Sequence, residues 1–262
     1  MNTSDLPEIF QYTRPVLPDD CTHIISPSML GKFFDFPKVW YEEAILGKTP
    51  AFKGSTATVI GTICHYIYEQ NTLGNKVTRE EINEQLDKYL ELCPNEDINP
   101  TQVKIDYPLV ASAVMNDYVI PHNQTNGVLE CEKQVIAKVT NGIYIAGTCD
   151  RIEGDCLVDY KTISTKPNEQ AIPFGYKIQL LAYAYALKQQ HYEINRIRIV
   201  YGVKPTKTLP ARCVVVTEEI DYMAEKLMRD TLTLVADSIL AVKEHPELAY
   251  LIFKSMDLKI GD

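Results

Sequence analysis

The chain has 262 residues, 45% of them hydrophobic, and a formal net charge of −9 with an isoelectric point near 5.1. This length and apolar content predict one sizeable core, and so a single domain over residues 1–262. Such acidity argues against a protein that coats nucleic acid with its whole surface. No apolar run approaches the roughly 18–20 residues that span a bilayer. The first residues lack a basic segment followed by an apolar one, so we expect neither a secretion signal nor a membrane partner.

The N-terminal part is predicted to be an irregular arm, residues 1–25, followed by a mainly helical part, residues 26–120. Ser26, followed by proline, is a favourable helix start. Thr78 and Glu81 have the spacing of a capping box, which predicts another helix start. The predicted helices of this part begin near residues 27, 56, 78 and 99.

The pattern changes at residues 127–217, where Val- and Ile-rich segments alternate with polar residues. Strands are predicted at 128–138, 143–152, 156–161, 195–203 and 210–217, with a helix at about 173–190. Asn141-Gly142 is a strong hairpin signal between the first two strands. A C-terminal helix and tail complete the chain at 218–262. This order predicts an α/β fold with a central mixed β-sheet flanked by helices.

The cysteines indicate a reducing compartment. There are seven, an odd number, and no CxxC spacing occurs. This argues against a disulfide framework and against a zinc ribbon. We therefore expect reduced thiols and a cytoplasmic location.

One hairpin, GTCDRIEGDCLVDYKT at residues 147–162, concentrates charge. If Gly154-Asp155 form its two-residue turn, Asp150 faces Asp159 across the hairpin, and Lys161 shares their face. Opposed carboxylates are unfavourable unless a shared proton, the lysine or a divalent metal lies between them. A surface hairpin with both acids in solvent is the alternative that these residues alone leave open.

Residues with suitable chemistry lie on either side of this hairpin. His65 lies in the predicted helix before the strands, within GTICHYIYEQ. Gln179 and Tyr183 lie in the helix after them, one turn apart on one face, with Tyr176 beside them. A lone histidine is more often part of a core, and a core stripe is the alternative reading of the tyrosines.

Taken together, these segments resemble the PD-(D/E)XK nuclease superfamily, in particular its RecB-type exonuclease branch, which is related to CRISPR-associated single-strand nucleases. The branch has a GxxxH helix, a GxxD strand, a (D/E)xK strand and a QxxxY helix. The corresponding segments here are Gly61–His65, Gly147–Asp150, Asp159–Lys161 and Gln179–Tyr183. The resemblance spans roughly residues 26–205 and implies a restriction-endonuclease-like core with N-terminal helical additions.

The resemblance also implies roles for individual residues. One or two divalent ions, Mg²⁺ or Mn²⁺, would be bound by His65, Asp150, Asp159 and the backbone carbonyl of Tyr160. Lys161 would position the attacking water and stabilise charge on the phosphate. Gln179 and Tyr183, with Tyr176, would shape the site and contact the nucleic acid. Glu69, four residues after His65, is either a supporting partner of the site or an exposed helix charge.

Two departures from the branch concern an iron–sulfur cluster that many of its members carry. Phe36 precedes Pro37 where such members often have cysteine, and no cysteine follows Cys213. We therefore predict no iron–sulfur cluster.

The function implied is a metal-dependent DNA nuclease, more specifically an exonuclease of DNA repair, recombination, phage replication or CRISPR adaptation. A helicase, a recombinase or a CRISPR protein is the kind of partner expected, in addition to DNA. The alternative is a catalytically silent module that binds DNA or protein. Residues 188–212 carry six basic residues and one acid, which indicates either a local basic surface or ordinary solvated charges.

Overall fold

The computed structural model describes residues 5–11, 15–47, 54–125 and 127–249. The α-helices are α1 (Leu30–Asp35), α2 (Pro37–Trp40), α3 (Thr56–Thr72), α4 (Arg79–Leu92), α5 (Pro100–Val114), α6 (Ile120–Gln124), α7 (Phe174–Gln189) and α8 (Tyr222–Glu244). The strands are β1 (His23–Ile25), β2 (Val128–Thr140), β3 (Ile143–Glu153), β4 (Cys156–Ile163), β5 (Arg196–Val203) and β6 (Arg212–Glu219). The predicted tail beyond residue 249 lies outside the described residues.

Polar residues fix the starts of the helices that carry or support the site. The Ser55 side chain accepts a hydrogen bond from the backbone N–H of Thr58 and so caps α3. Thr78 and Glu81 form the predicted capping box at the start of α4. These caps satisfy N–H groups that the first turn of a helix leaves without partners.

The five predicted strands and β1 form one sheet, which is mixed, as predicted. Strands β2, β3 and β4 are antiparallel neighbours, β4 pairs with β5 in parallel, and β6 returns antiparallel to β5. The turn between β2 and β3 has Gly142 at φ +71°, and the turn between β3 and β4 has Gly154 at φ +55°. Glycine adopts this left-handed region without the steric cost that a side chain adds.

The predicted irregular arm needs a correction, because it ends in β1. This three-residue strand pairs in parallel with residues 143–145 of β3. A strand so short carries too little alternation to be recognised from sequence. A 3₁₀ turn, Glu8–Phe10, also lies in the arm.

Strand pairing is interrupted along the edge of β3 that faces β1 and β4, and this gap determines where the candidate site lies. Because β2 covers one edge of β3 along its length, β1 and β4 must share the other edge. There β1 pairs with residues 143–145 and β4 with residues 151–153. Residues 146–150 therefore have no strand partner on that edge within the described chain, and Asp150 lies at the end of this gap.

Two hydrophobic layers enclose the sheet. On one face, α1, α7 and α8 pack over residues that include Leu157, Ile197 and Ile199. On the other face, α3, α4 and α5 pack over Val158, Tyr160 and Val200. The helix that carries His65 and the helix that carries Gln179 therefore lie on opposite faces of β4. No helix in the described ranges is long and apolar enough to cross a membrane.

Candidate active site

The hairpin of β3 and β4 follows the predicted register only as far as its strands stay together. Glu153 pairs with Cys156, Ile152 with Leu157 and Arg151 with Val158, as the two-residue turn requires.

The pairing does not continue to Asp150 and Asp159, which corrects the predicted direct opposition. Instead, the Asp150 carboxylate accepts the backbone N–H of Tyr160 at 2.8 Å. The side chain thus takes the place of a backbone acceptor where the two strands part.

His65 enters this gap from α3. Its Nε2–H donates to the Tyr160 carbonyl at 2.9 Å, and its Nδ1 lies 3.5 Å from Oδ2 of Asp150. The imidazole therefore contacts two of the groups with which the resemblance associates it. Both contacts depend on the parting of β3 and β4, which exposes the Tyr160 backbone on that side.

The structure adds Glu132, which the sequence analysis missed. Donor atoms of His65, Glu132 and Asp150 all lie within 4.8 Å of one another, a spacing that can hold a metal ion. Glu132 lies on β2, opposite Asp150 of β3, since Cys131 pairs with Arg151 and Lys133 with Cys149. Its φ of 46° is unusual for a residue other than glycine, and strained backbone of this kind tends to occur at functional sites.

The protonation of Glu132 reflects this crowding. Burial, together with the negative charges of Asp150 and Glu69, raises the pKa of Glu132 to about 8. Burial also raises the pKa of Glu69, which lies one helical turn beyond His65, and Glu8 contributes. Glu69 is therefore half-buried beside the acidic cluster, and it is not a fully solvated helix charge.

Asp159, which is buried, and Lys161, which is partly exposed, form an ion pair next to the cluster. The Lys161 Nζ lies 2.9 Å from Oδ1 and 2.7 Å from Oδ2 of Asp159. The Gln179 amide donates to the same carboxylate at 3.2 Å. Burial raises the pKa of Asp159 to about 6; Asp150 adds to this rise and Lys161 opposes it.

Lys161 keeps its charge in this environment. Burial by itself lowers the pKa of Lys161, but the carboxylates of Asp159 and Asp150 outweigh it, so the pKa lies above its usual value. The ammonium group also lies 5.3 Å from the centre of the Tyr176 ring, a cation–π distance. The Lys161 side chain is therefore protonated at neutral pH and is held by Asp159 and Tyr176.

Tyr183 lies deeper than Gln179. It is 6% exposed and packs against Gly147, where an added Cβ would come within 2.9 Å of its hydroxyl. The glycine of the GxxD segment thus makes room for the tyrosine of the QxxxY segment. This contact fixes α7 against the gap in β3 and supports a role in shaping the site.

An open cleft leads to these residues from the N-terminal end of α3. Its volume is about 380 Å³, and His65 and Lys161 are among the residues that line it. The rest of the lining is Ala57, Thr58, Gly61, Thr62, Tyr160 and Thr162. A second cavity, of about 420 Å³ between α7 and α8, contains none of the predicted site residues.

Comparison with known proteins places the chain in a family. The model of the PD-(D/E)XK nuclease superfamily matches residues 24–247, and the chain belongs to this superfamily. The resemblance recognised in the sequence is thereby confirmed. No curated protein matches the chain.

One of two similar solved structures supports the same fold. A candidate exonuclease from Eubacterium rectale aligns with a TM-score of 0.54 at 15% identity, over 85% of this chain and 82% of that one. The LHK-Exo exonuclease of Laribacter hongkongensis, solved with dAMP, aligns with a TM-score of 0.37 at 15% identity, over 78% of this chain and 98% of that one. The first similarity confirms the restriction-endonuclease-like α/β fold; no conclusion rests on the second.

The donors fit the divalent metal on which this superfamily depends. Carboxylate oxygens and an imidazole are ligands that suit hard and borderline divalent ions. The three donors lie within 4.8 Å of one another, and two of them are acids. The pKa of one, Glu132, is raised to about 8, so a bound cation would stabilise the arrangement. With Lys161 beside it, the site can bind an anionic substrate next to a metal.

Proposed function

We propose that this protein is a divalent-metal-dependent deoxyribonuclease that degrades DNA from its ends. The observation that carries the proposal is the meeting of His65, Glu132 and Asp150 at the gap in the sheet, beside the Asp159–Lys161 pair. The nuclease chemistry follows from the superfamily. The use of DNA ends and the particular ion are our proposal.

His65, Glu132 and Asp150 would hold the ion, with Asp159 and the Tyr160 carbonyl adjoining them. Mg²⁺ and Mn²⁺ are the ions that this mixture of oxygen and imidazole donors favours. A bound divalent ion would supply hydroxide at neutral pH and neutralise charge that develops on the phosphate oxygens.

Lys161 supplies a fixed positive charge for the phosphate. Lys161 lines the cleft, and its ammonium group remains protonated because Asp159 and Asp150 raise its pKa. A preorganised cation in a partly dehydrated site stabilises the charge of the transition state more strongly than one in water. Asp159 orients the lysine, and Gln179 in turn holds Asp159.

The biological setting is a proposal from the superfamily resemblance. DNA repair, recombination, phage replication and CRISPR adaptation are the processes we infer, with a helicase, a recombinase or a CRISPR protein as partner. All seven cysteines are free thiols, which supports a reducing, cytoplasmic location. We further infer that the protein carries no iron–sulfur cluster.

The test is hydrolysis of end-labelled linear DNA, single- and double-stranded, with Mg²⁺ or Mn²⁺, compared with covalently closed circular DNA and RNA. We expect the linear DNA alone to be degraded. Asp159→Asn and Lys161→Gln should each lower kcat by at least about 10²-fold, because each removes a charge from the site. Glu84→Gln removes an exposed charge on α4 and serves as the control.

Two results would contradict the proposal. One is no metal-dependent hydrolysis by the wild type. The other is undiminished hydrolysis by both site variants, measured on samples whose thermal unfolding shows a folded protein. Degradation of circular DNA would retain the nuclease and reject the requirement for ends.

A further inference from the structure

The basic segment at residues 188–212 does not form one surface. Its first three charges are used internally: Lys188 pairs with Glu225, Arg196 with Asp155 and Arg198 with Glu153. The remaining three basic residues, Lys204, Lys207 and Arg212, lie at the opposite end of β5. Together with Lys166, which follows β4, we name these four residues the basic edge.

The register of the sheet places the basic edge next to the candidate active site. In the parallel pair of β4 and β5, Lys161 is opposite Tyr201, and Ile163 is opposite Val203. The Lys204 N–H then donates to the Ile163 carbonyl at 2.8 Å, so the two following loops leave the sheet side by side. At about 3.3 Å per residue, these loops begin about 7–10 Å beyond Lys161.

The lysines at the tips of these loops are available to a ligand. Lys207 is exposed and forms no ion pair with any residue that the structure describes. Its turn is ordered, because the Thr206 hydroxyl accepts the N–H groups of Thr208 and Leu209. Lys166 is 75% exposed and lies 3.9 Å from Glu169, which is itself half exposed. An exposed pair at that distance holds its lysine only weakly.

Two further cations lie between the loop tips and the sheet. The Lys204 side chain is 12% exposed, and its Nζ lies 3.8 Å from Asp106. Arg212, the first residue of β6, pairs with Val203, and its Nε is buried without a hydrogen-bond partner among the described residues. The edge therefore has four cations, and Asp106 and Glu169 are the acids recorded against them within the described residues, on a chain whose net charge is −9.

We propose that the basic edge binds the sugar–phosphate backbone of a polynucleotide whose scissile phosphate lies at Lys161. This inference rests on the proposed function and extends it. The substrate must continue for some nucleotides beyond the cleaved bond, on the side of the loops that follow β4 and β5. Lysines contact phosphates as point charges, so this surface contributes affinity without reading sequence.

The experiment measures the salt dependence of binding, which counts phosphate contacts. A fluorescently labelled oligonucleotide of mixed sequence, single-stranded or duplex, is titrated with protein by anisotropy in Ca²⁺, at several salt concentrations. The variant is Lys166→Gln with Lys207→Gln. The matched control is Lys76→Gln with Lys88→Gln, which removes the same charge from exposed positions. Lys76 follows the far end of α3, whose 17 residues span about 25 Å from the cleft.

Each lost phosphate contact lowers the slope of log Kd against log salt by about 0.7 for single strands and about 0.9 for duplex. We expect a fall of about 1.4 or about 1.8 for the loop variant and no significant change for the control. Mg²⁺-induced thermal stabilisation of both variants should match the wild type, because the metal donors are untouched.

An unchanged slope in the loop variant would overturn the inference, as would an equal fall in the control, since that would indicate general electrostatics. Failure of the proposed function has a different signature. If the protein binds DNA through Lys166 and Lys207 but hydrolyses none with metal, the inference about the basic edge stands and the proposed nuclease function is refuted.

Discussion

Replacing Glu132 by glutamine should change the stability of this protein in opposite directions without and with metal. Glutamine keeps the shape of the side chain and removes its charge. Without metal, the charge of Glu132 destabilises the folded protein, because it is partly buried near Asp150 and Glu69. With metal, the same charge is a ligand. A residue that only supported the fold would not produce this reversal.

The magnitude without metal follows from the raised pKa. The pKa of Glu132 rises from 4.5 to about 8, first through burial and then through the neighbouring acids. Because the folded protein holds this proton more tightly than the unfolded chain, stability falls as pH rises from about 4.5 to about 8. At about 1.4 kcal/mol per pKa unit, the limit is about 5 kcal/mol. Since Glu132 is partly exposed, we expect Glu132→Gln to stabilise the metal-free protein by about 2 kcal/mol near pH 9.

The effect with metal has the opposite sign. A ligand present at a hundred times its Kd stabilises the folded state by about 2.7 kcal/mol. Glu132→Gln replaces one of two carboxylate donors by a neutral, weaker amide oxygen and should lose most of this gain. The assay is urea unfolding followed by circular dichroism, in EDTA and in excess Mg²⁺, for wild type and variant.

Glu84→Gln is the control, because Glu84 is exposed on α4 and its replacement should change neither free energy by more than about 0.5 kcal/mol. Two outcomes would refute the reasoning. In one, the variant is less stable than the wild type in EDTA near pH 9. In the other, it gains as much stability from Mg²⁺ as the wild type does.

Three further results are expected. Because metal must displace protons from acids with raised pKa values, including Asp159 at about 6, Mg²⁺-induced stabilisation should grow from about pH 5 to about pH 8; a flat profile in a thermal-shift series would contradict this. Gly147→Ala should lower the free energy of unfolding by about 1–3 kcal/mol, because the added methyl group would meet the Tyr183 hydroxyl at 2.9 Å. The loss should be smaller in a Tyr183→Phe background, and an equal loss in both backgrounds would place the strain elsewhere. Arg151→Met should lower the free energy of urea unfolding by about 3–5 kcal/mol, because it breaks the buried ion pair with Glu153. Arg196→Gln, which breaks the exposed pair with Asp155, should lower it by less than about 1 kcal/mol. Similar losses in the two variants would refute the distinction.

The sequence was sufficient for the elements that local rules govern. Helix α3 occupies the predicted residues 56–72, and the capping box of α4 forms at Thr78 and Glu81. The turn at Gly154 fixed the register of the hairpin for its first three pairs. Caps, turn residues and apolar periodicity act over a few residues, so they can be read without knowledge of the rest of the fold.

The roles of individual site residues stay predictions, but the structure has brought most of them together. His65 reaches Asp150 and the Tyr160 carbonyl, and Gln179 reaches Asp159. The order of these residues along the chain was visible in sequence. Their approach from opposite faces of β4 was not, because it depends on where β3 and β4 separate.

Glu132 shows what tertiary structure alone decided. Counting back from the turn at Asn141-Gly142 puts Thr140 opposite Ile143 and would put Glu132 opposite Arg151. A register shift between Lys138 and Thr140 moves the pairing by one residue, so that Glu132 lies across from Asp150. A one-residue shift changes every later partner in a strand, and no local signal announced it. Sequence therefore determined which chemistry the chain carries, and the bulge and the gap in the sheet decided which side chains meet to perform it.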